Sequence, residues 1–188
     1  ILETLTCLKE KRIKHRPLEV VLTLGEEAGL EGALNLDYKK ISAKQGVTFD
    51  GHGSVSNVTI AAPGYNRVDA KIIGRSAHAG VEPEKGISAI RIASEIISQL
   101  QIGRIDNETT ANIGIISGGL ARNAVPEKVE FKGEIRSRNL KKLREHSIHF
   151  EQVFNNFSKK YGEASIELTI AQEFSPYKFT DKHPIILE

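Results

Sequence analysis

The chain has 188 residues, 39% of them apolar and 27% charged, with a formal net charge of +2. That balance belongs to soluble globular domains, and the length suffices for one domain or for one domain plus a piece of another. It excludes a membrane-spanning helix, because no apolar run approaches the roughly 20 residues required. It also excludes a disulfide framework or a thiolate zinc cluster, because Cys7 is the only cysteine.

Any metal must therefore be held by carboxylates and histidines, and a reducing cytoplasm fits the cysteine usage. Two short basic runs, Lys9 to Arg16 and Arg136 to Arg144, read as solvated faces; with aromatics at only 6%, nucleic-acid binding is not expected. Ile1 to Glu10 mixes Glu3, Lys9 and Glu10 with leucines, unlike a signal peptide. The absence of methionine, in a chain opening on Ile1, suggests an excised piece of a longer protein.

Leu18 to Leu24 is a nearly continuous β-prone apolar run, as expected of a strand buried on both faces of a parallel sheet. Gly25 ends it, and Glu26 and Glu27 follow directly. Paired glutamates at that point are the ordinary start of a surface helix, where they favour the positive N-terminal end. The functional alternative divides two jobs between them: one carboxylate binds a metal, and the other, raised toward neutrality by its neighbour and by burial, acts as a general base. A short helix over 28–36 and a short strand over 46–49 come next. Asp50 sits in Phe49-Asp50-Gly51-His52-Gly53, as a turn residue or a metal ligand; His52 is a ligand or a solvent-facing side chain. Ala61-Ala62-Pro63-Gly64 reads as a turn and hinge.

Beyond it, Val68, Ala70, Ile72 and Gly74 alternate as a strand. His78 follows among small residues in Gly74 to Gly80, as a surface histidine or a donor to a developing oxyanion. Pro83 is expected to open a helix with the stripe Ile87, Ile90, Ala93, Ile97 and Leu100. Ala111, Ile113 and Ile115 form a second strand. A loop carrying Asn123 leads to the clearest half-buried strand, in which Val129, Phe131, Gly133 and Ile135 alternate with charged residues ending at Arg136. Asn139 caps a helix with the stripe Leu143, Ser147, Phe150, Phe154, Phe157 and Tyr161, and Ile166, Leu168 and Ile170 make the last strand. The order β-α-β-β-α-β is ferredoxin-like: two helices on one face of a four-stranded sheet, the other face open with Arg136 on it. A forked guanidinium there could grip a carboxylate.

Thr23 to Ala33 resembles the double-glutamate motif of the aminoacylase and carboxypeptidase-G-like metallopeptidase family, with Asp50-Gly51 following at the family's distance. Gly74 to Gly80, Asn123-Ala124-Val125-Pro126 and Gly133 to Ser137 are similar to its lid-domain motifs. His78 to Gly86 and Gly103 to Asp106 look most like the peptidase T-like, or tripeptidase, branch. The resemblance implies an α/β fold in which 1–64 is part of a catalytic domain, 65–176 a ferredoxin-like lid and dimerisation domain, and 177–188 a return segment. It implies Glu26 as general base, and Glu27 and Asp50 as ligands of two divalent metal ions, zinc first, with cobalt or manganese as alternatives. His78 becomes an oxyanion donor reaching a partner subunit's site, and Asn123 and Arg136 bind substrate, Arg136 through its C-terminal carboxylate. The family's His-x-Asp motif and bridging Asp would precede Ile1, and its last histidine ligand would follow Glu188. His52 and Ser56-Asn57 depart from a stretch that is glycine-rich in the family.

The expectation is a cytoplasmic, homodimeric metallopeptidase cleaving short peptides, with neither nucleic acid nor membrane as partner, and with this chain inactive alone. An N-acyl amino acid amidase or carboxypeptidase on the same scaffold is the enzyme alternative. A non-catalytic ferredoxin-like dimerisation or ligand-binding module is the rival from another class.

Overall fold

The computed structural model describes residues 1–27, 29–50, 53–54 and 56–187. The chain forms two compact units, Ile1–Val58 with Pro184–Glu188, and Thr59–His183.

The first unit holds helix α1 (Leu2–Glu10) and the single turn α2 (Glu31–Leu34), neither with a buried residue. The strands expected over 18–24 and 46–49 are absent: both stretches carry no ladder, and Leu24 is 86% exposed. A lone apolar run gains no strand hydrogen bonds without a neighbour, and among the described residues of this unit none supplies one. The turn after the run does form. Gly25 takes a left-handed φ of 72°, and the amides of Gly29 and Leu30 donate to the Glu26 carbonyl at 3.1 and 2.9 Å.

The second unit begins with β1 (Ala61–Ala62), so the expected turn at Ala61-Ala62 is instead a short strand. There follow β2 (Gly64–Ile73), α3 (Ala89–Gln99), the short β3 (Gly103–Arg104), β4 (Thr109–Gly118), β5 (Lys128–Ser137), α4 (Leu140–Lys160), β6 (Ser165–Phe174) and β7 (Tyr177–Lys178). The sheet order is β3-β4-β5-β2-β6, and each adjacent pair is antiparallel. Leaving β3 aside, this is the expected ferredoxin-like arrangement. β1 pairs with β7, Ala61 opposite Lys178 and Ala62 opposite Tyr177.

Both helices cover one face. Val68, Ala70, Ile72, Val129, Phe131 and Ile135 from the central strands meet Ile92, Ala93 and Ile96 of α3 and Leu143, Phe150 and Phe154 of α4 in one core. Asn139 caps α4 as expected, its Oδ1 accepting from the amides of Lys141 and Lys142 at 2.9 and 3.3 Å. Helix α3 differs. Pro83 opens only the 3₁₀ turn Pro83–Lys85, and the helix proper starts after Ser88, whose hydroxyl accepts from the Arg91 amide. The buried stripe is accordingly Ala89, Ile92, Ala93 and Ile96, while Ile90 faces out. On β4 a bulge between Ile113 and Ile115 breaks the alternation, so Ile115 and Ile116 are both exposed.

The other face is open and carries a charge ladder. Arg67 lies opposite Glu134, Asp69 opposite Lys132 and Lys71 opposite Glu130 across the β2–β5 pair. Opposite charges at directly facing positions favour this register over a slipped one.

Candidate functional site

Glu26 and Glu27 lie in the exposed turn after Gly25, and Asp50 is exposed in a segment of the same unit without regular secondary structure. His52 and Gly51 lie outside the described residues. Among the described residues, no group of three or more His, Cys, Asp or Glu side chains comes together to hold a metal ion. Glu27 and Asp50 have oxygen donors suited to a divalent cation, but by themselves they do not complete such a site.

The second unit brings two of the predicted residues together. His78 and Ala124 form an antiparallel bridge. The Ala79 amide donates to the Asn123 carbonyl at 2.9 Å, and the Val125 amide donates to the Ala77 carbonyl at 2.9 Å. Two loops distant in sequence thus form one clip carrying both side chains. Its base is close-packed. A Cβ on Gly74 would meet the Ile87 carbonyl oxygen at 2.0 Å, and one on Gly86 would meet Val125 at 2.8 Å. The glycines let the loop lie against backbone and valine where no side chain fits. Both His78 and Asn123 are exposed.

Arg136 stands elsewhere. The clip extends from the Ile73/Lys128 end of the sheet, where the Gly74 amide donates to the Glu127 carbonyl at 2.7 Å. Arg136 lies on β5 at the far end, opposite Tyr65 and Thr110. The strand between Lys128 and Arg136 is roughly 26 Å long at about 3.3 Å per residue.

Its guanidinium is held in a fork: Nε donates to Glu134 Oε1 and Nη2 to Glu134 Oε2, both at 2.9 Å. The Glu134 carboxylate raises the Arg136 pKa above its already high range, and the cation rests 4.9 Å from the Tyr65 ring centroid. Two of five N–H donors are engaged by Glu134, so the outer edge remains for a second carboxylate. Beside it, a shallow depression of about 360 Å³ is lined by Tyr65, Arg67, Asp69, Asn112, Lys132 and Glu134 among others. Glu134 and Tyr65 were not singled out from sequence, although the period-two alternation of β5 already places Glu134 on the face of Arg136.

The rim of β4 is the remaining feature. β3 covers only Thr110 and Ala111, so from Asn112 to Gly118 the outer edge of β4 has no neighbour among the described residues. Ile116 there is 57% exposed, and Leu120 beyond it is fully exposed. No helix among the described residues is long and apolar enough to cross a membrane.

Known proteins resemble this arrangement. The peptidase dimerisation domain (M20 dimer) matches residues 60–162. The uncharacterized protein YqjE of Bacillus subtilis is 41% identical over 184 residues, which is 98% of this chain and 49% of that protein. The crystal structure of aminopeptidase PepT from Bacillus cereus shares 39% identity and a TM-score of 0.87, and that of a tripeptidase from Staphylococcus aureus 35% and 0.90; each match covers 98% of this chain and 49% of the other. The chain thus spans about half the length of these relatives. With the domain match spanning more than half of the chain and this identity over nearly all of it, the chain belongs to the M20 peptidase dimerisation domain family.

Proposed function

We propose that this chain is the lid and dimerisation domain, with part of the catalytic domain, of a cytoplasmic metallopeptidase that hydrolyses short peptides. The observation that carries the reading is the separation of the His78–Asn123 clip from Arg136. A tripeptide spans at most about 11 Å when fully extended. One such substrate cannot reach both ends of a strand roughly 26 Å long. His78 and Asn123 therefore serve the site of a second copy, while Arg136 serves another. A site built from two copies suits a family defined by its dimerisation domain.

The second copy fits the free edge of β4. An unpaired strand edge bordered by Ile115, Ile116 and Leu120 is a template for antiparallel pairing with its own symmetry mate, which would join two sheets across a two-fold axis.

In the assembled enzyme Glu26 takes a proton from the attacking water and returns it to the leaving amine. His78 donates a hydrogen bond to the carbonyl oxygen as it gains charge. Asn123 offers an amide beside it, and Arg136 donates from its outer edge to the peptide's terminal carboxylate. Glu27 and Asp50 would hold two divalent ions, zinc in this reading, which when bound lower the pKa of water and polarise a carbonyl. Other ligands would come from the half of the relatives' length that this chain does not span. The 188-residue chain alone is then inactive.

The test is hydrolysis of unblocked tripeptides by the complete protein, before and after chelation, with N-acetylated amino acids as competing substrates. Chelator-sensitive tripeptide cleavage supports the reading. Preferential deacylation would assign the scaffold to an amidase instead, and no turnover of either class would contradict it.

A further inference from the structure

The imidazole of His78 is exposed, yet its ring is not free to choose a tautomer. The Gly80 amide donates to His78 Nδ1 at 3.2 Å. A backbone N–H can only donate, so Nδ1 must present its lone pair, and a neutral imidazole then carries its proton on Nε2. The neighbouring amides leave little room for another arrangement. Ala79 donates to the Asn123 carbonyl, and Val81 and Glu82 donate to the His78 carbonyl at 3.2 and 3.0 Å. Of these four amides, Gly80 alone has a side chain as acceptor.

Nothing steric requires glycine at position 80. Its φ is not left-handed, and a Cβ would lie 3.7 Å from His78 Cε1 and 3.8 Å from Nδ1, an ordinary contact distance. What the residue supplies is the N–H itself, which any residue except proline provides.

We infer that Gly80 is a positioning residue: its peptide N–H fixes His78 as the Nε2–H tautomer and directs that N–H away from the clip, as a donor to a substrate carbonyl oxygen. The inference rests on the peptidase reading for the identity of the acceptor, but not for the tautomer. The opposite tautomer would turn a lone pair toward the developing negative charge and repel it. With Nδ1 already engaged, the donor is arranged before substrate arrives and need not reorganise during the reaction.

The deciding experiment is NMR on the ¹⁵N-labelled chain at alkaline pH. The expected result is a ring proton on Nε2 together with a through-hydrogen-bond ¹⁵N–¹⁵N coupling between the Gly80 amide and His78 Nδ1. Gly80→Ala keeps both, and Gly80→Pro loses the coupling. A proton on Nδ1 in the unmodified chain, or a missing coupling, would overturn the assignment without recourse to any variant. The positioning role is read in the complete enzyme, where Gly80→Pro lowers kcat about tenfold or more with KM little changed, while Gly80→Ala leaves both near their starting values. An unaltered kcat in Gly80→Pro would overturn the role. The spectra are recorded without substrate, so failure of the peptidase reading and failure of the tautomer assignment are separate results.

Discussion

The Ala79 amide and the Asn123 carbonyl are joined at 2.9 Å, so the backbone beside His78 and the backbone of Asn123 move as one. Gly86 lies under this clip, where an added Cβ would stand 2.8 Å from Val125. Gly86→Ala should destabilise the second unit by about 1–3 kcal/mol through overpacking. Gly86→Ala/Val125→Ala should cost less than the sum of the two single changes, by roughly 0.5 kcal/mol or more. Urea titration of the four proteins measures this; strict additivity would show that the contact is not made.

Phe131 is fully buried at the centre of β5, against Phe154 of α4 with ring centroids 6.0 Å apart. Phe131→Ala should lower the unfolding free energy of the second unit by roughly 3–5 kcal/mol. A loss below about 1 kcal/mol would mean that the helices do not pack on this face as described.

His146 is 6% exposed, and its Nε2 donates to the Gln101 carbonyl at 2.9 Å. Burial pushes its pKa below the usual 6.5; the hydrogen bond to Gln101 opposes this, the neighbouring His149 adds to it, and Asp106 opposes it less. The unfolded chain therefore binds this proton first as pH falls. Its contribution to stability is intact above pH 6.5 and is lost progressively as the pH drops toward the depressed folded value. Between pH 7.5 and 5 the urea midpoint should fall, and His146→Gln, which retains an N–H donor without titrating, should show a smaller fall. Equal slopes in the two proteins would refute the assignment.

The β4 edge makes a prediction about assembly. On the pairing of two β4 edges proposed above, Ile116→Lys places a charge at the centre of the unpaired edge and should leave the chain monomeric by light scattering. Glu151→Lys, on an exposed position of α4, should leave it dimeric. A dimer that survives Ile116→Lys would move the interface elsewhere.

The second unit was readable from sequence wherever one face of an element is apolar and the other charged. β5 is the clearest case, because Val129, Phe131 and Ile135 alternate with Lys128, Glu130, Lys132, Glu134 and Arg136. Reading failed where a local signal competed with the pattern. Pro83 is a good helix starter, but the chain leaves the helical path at Gly86 and restarts at Ser88, which rotates the buried stripe away from Ile90. Gly114 sits in the bulge that exposes Ile115, and a periodicity argument cannot place an inserted residue. The run from Leu18 to Leu24 has the composition of a strand but no strand partner among the described residues, since pairing is a property of two segments.

The candidate site divides in the same way. His78 and Asn123 stood out as residue types in glycine-rich or turn-rich loops, but their pairing depends on the bridge between His78 and Ala124, two segments distant in sequence. The hold of Glu134 and Tyr65 on Arg136 is likewise a matter of register. Glu26, Glu27 and Asp50 lie in exposed backbone of the first unit, and no local geometry distinguishes them there; they are carried by motif order alone.

Glu26 in the complete protein carries the central step of the proposed chemistry. Tripeptide hydrolysis should be abolished by chelation, and Glu26→Gln should reduce kcat by at least about 10²-fold, the scale of a lost general base, with KM little changed. The 188-residue chain assayed beside it should show no turnover. Unimpaired hydrolysis by the Glu26→Gln enzyme, or metal-dependent cleavage by the 188-residue chain alone, would contradict the account.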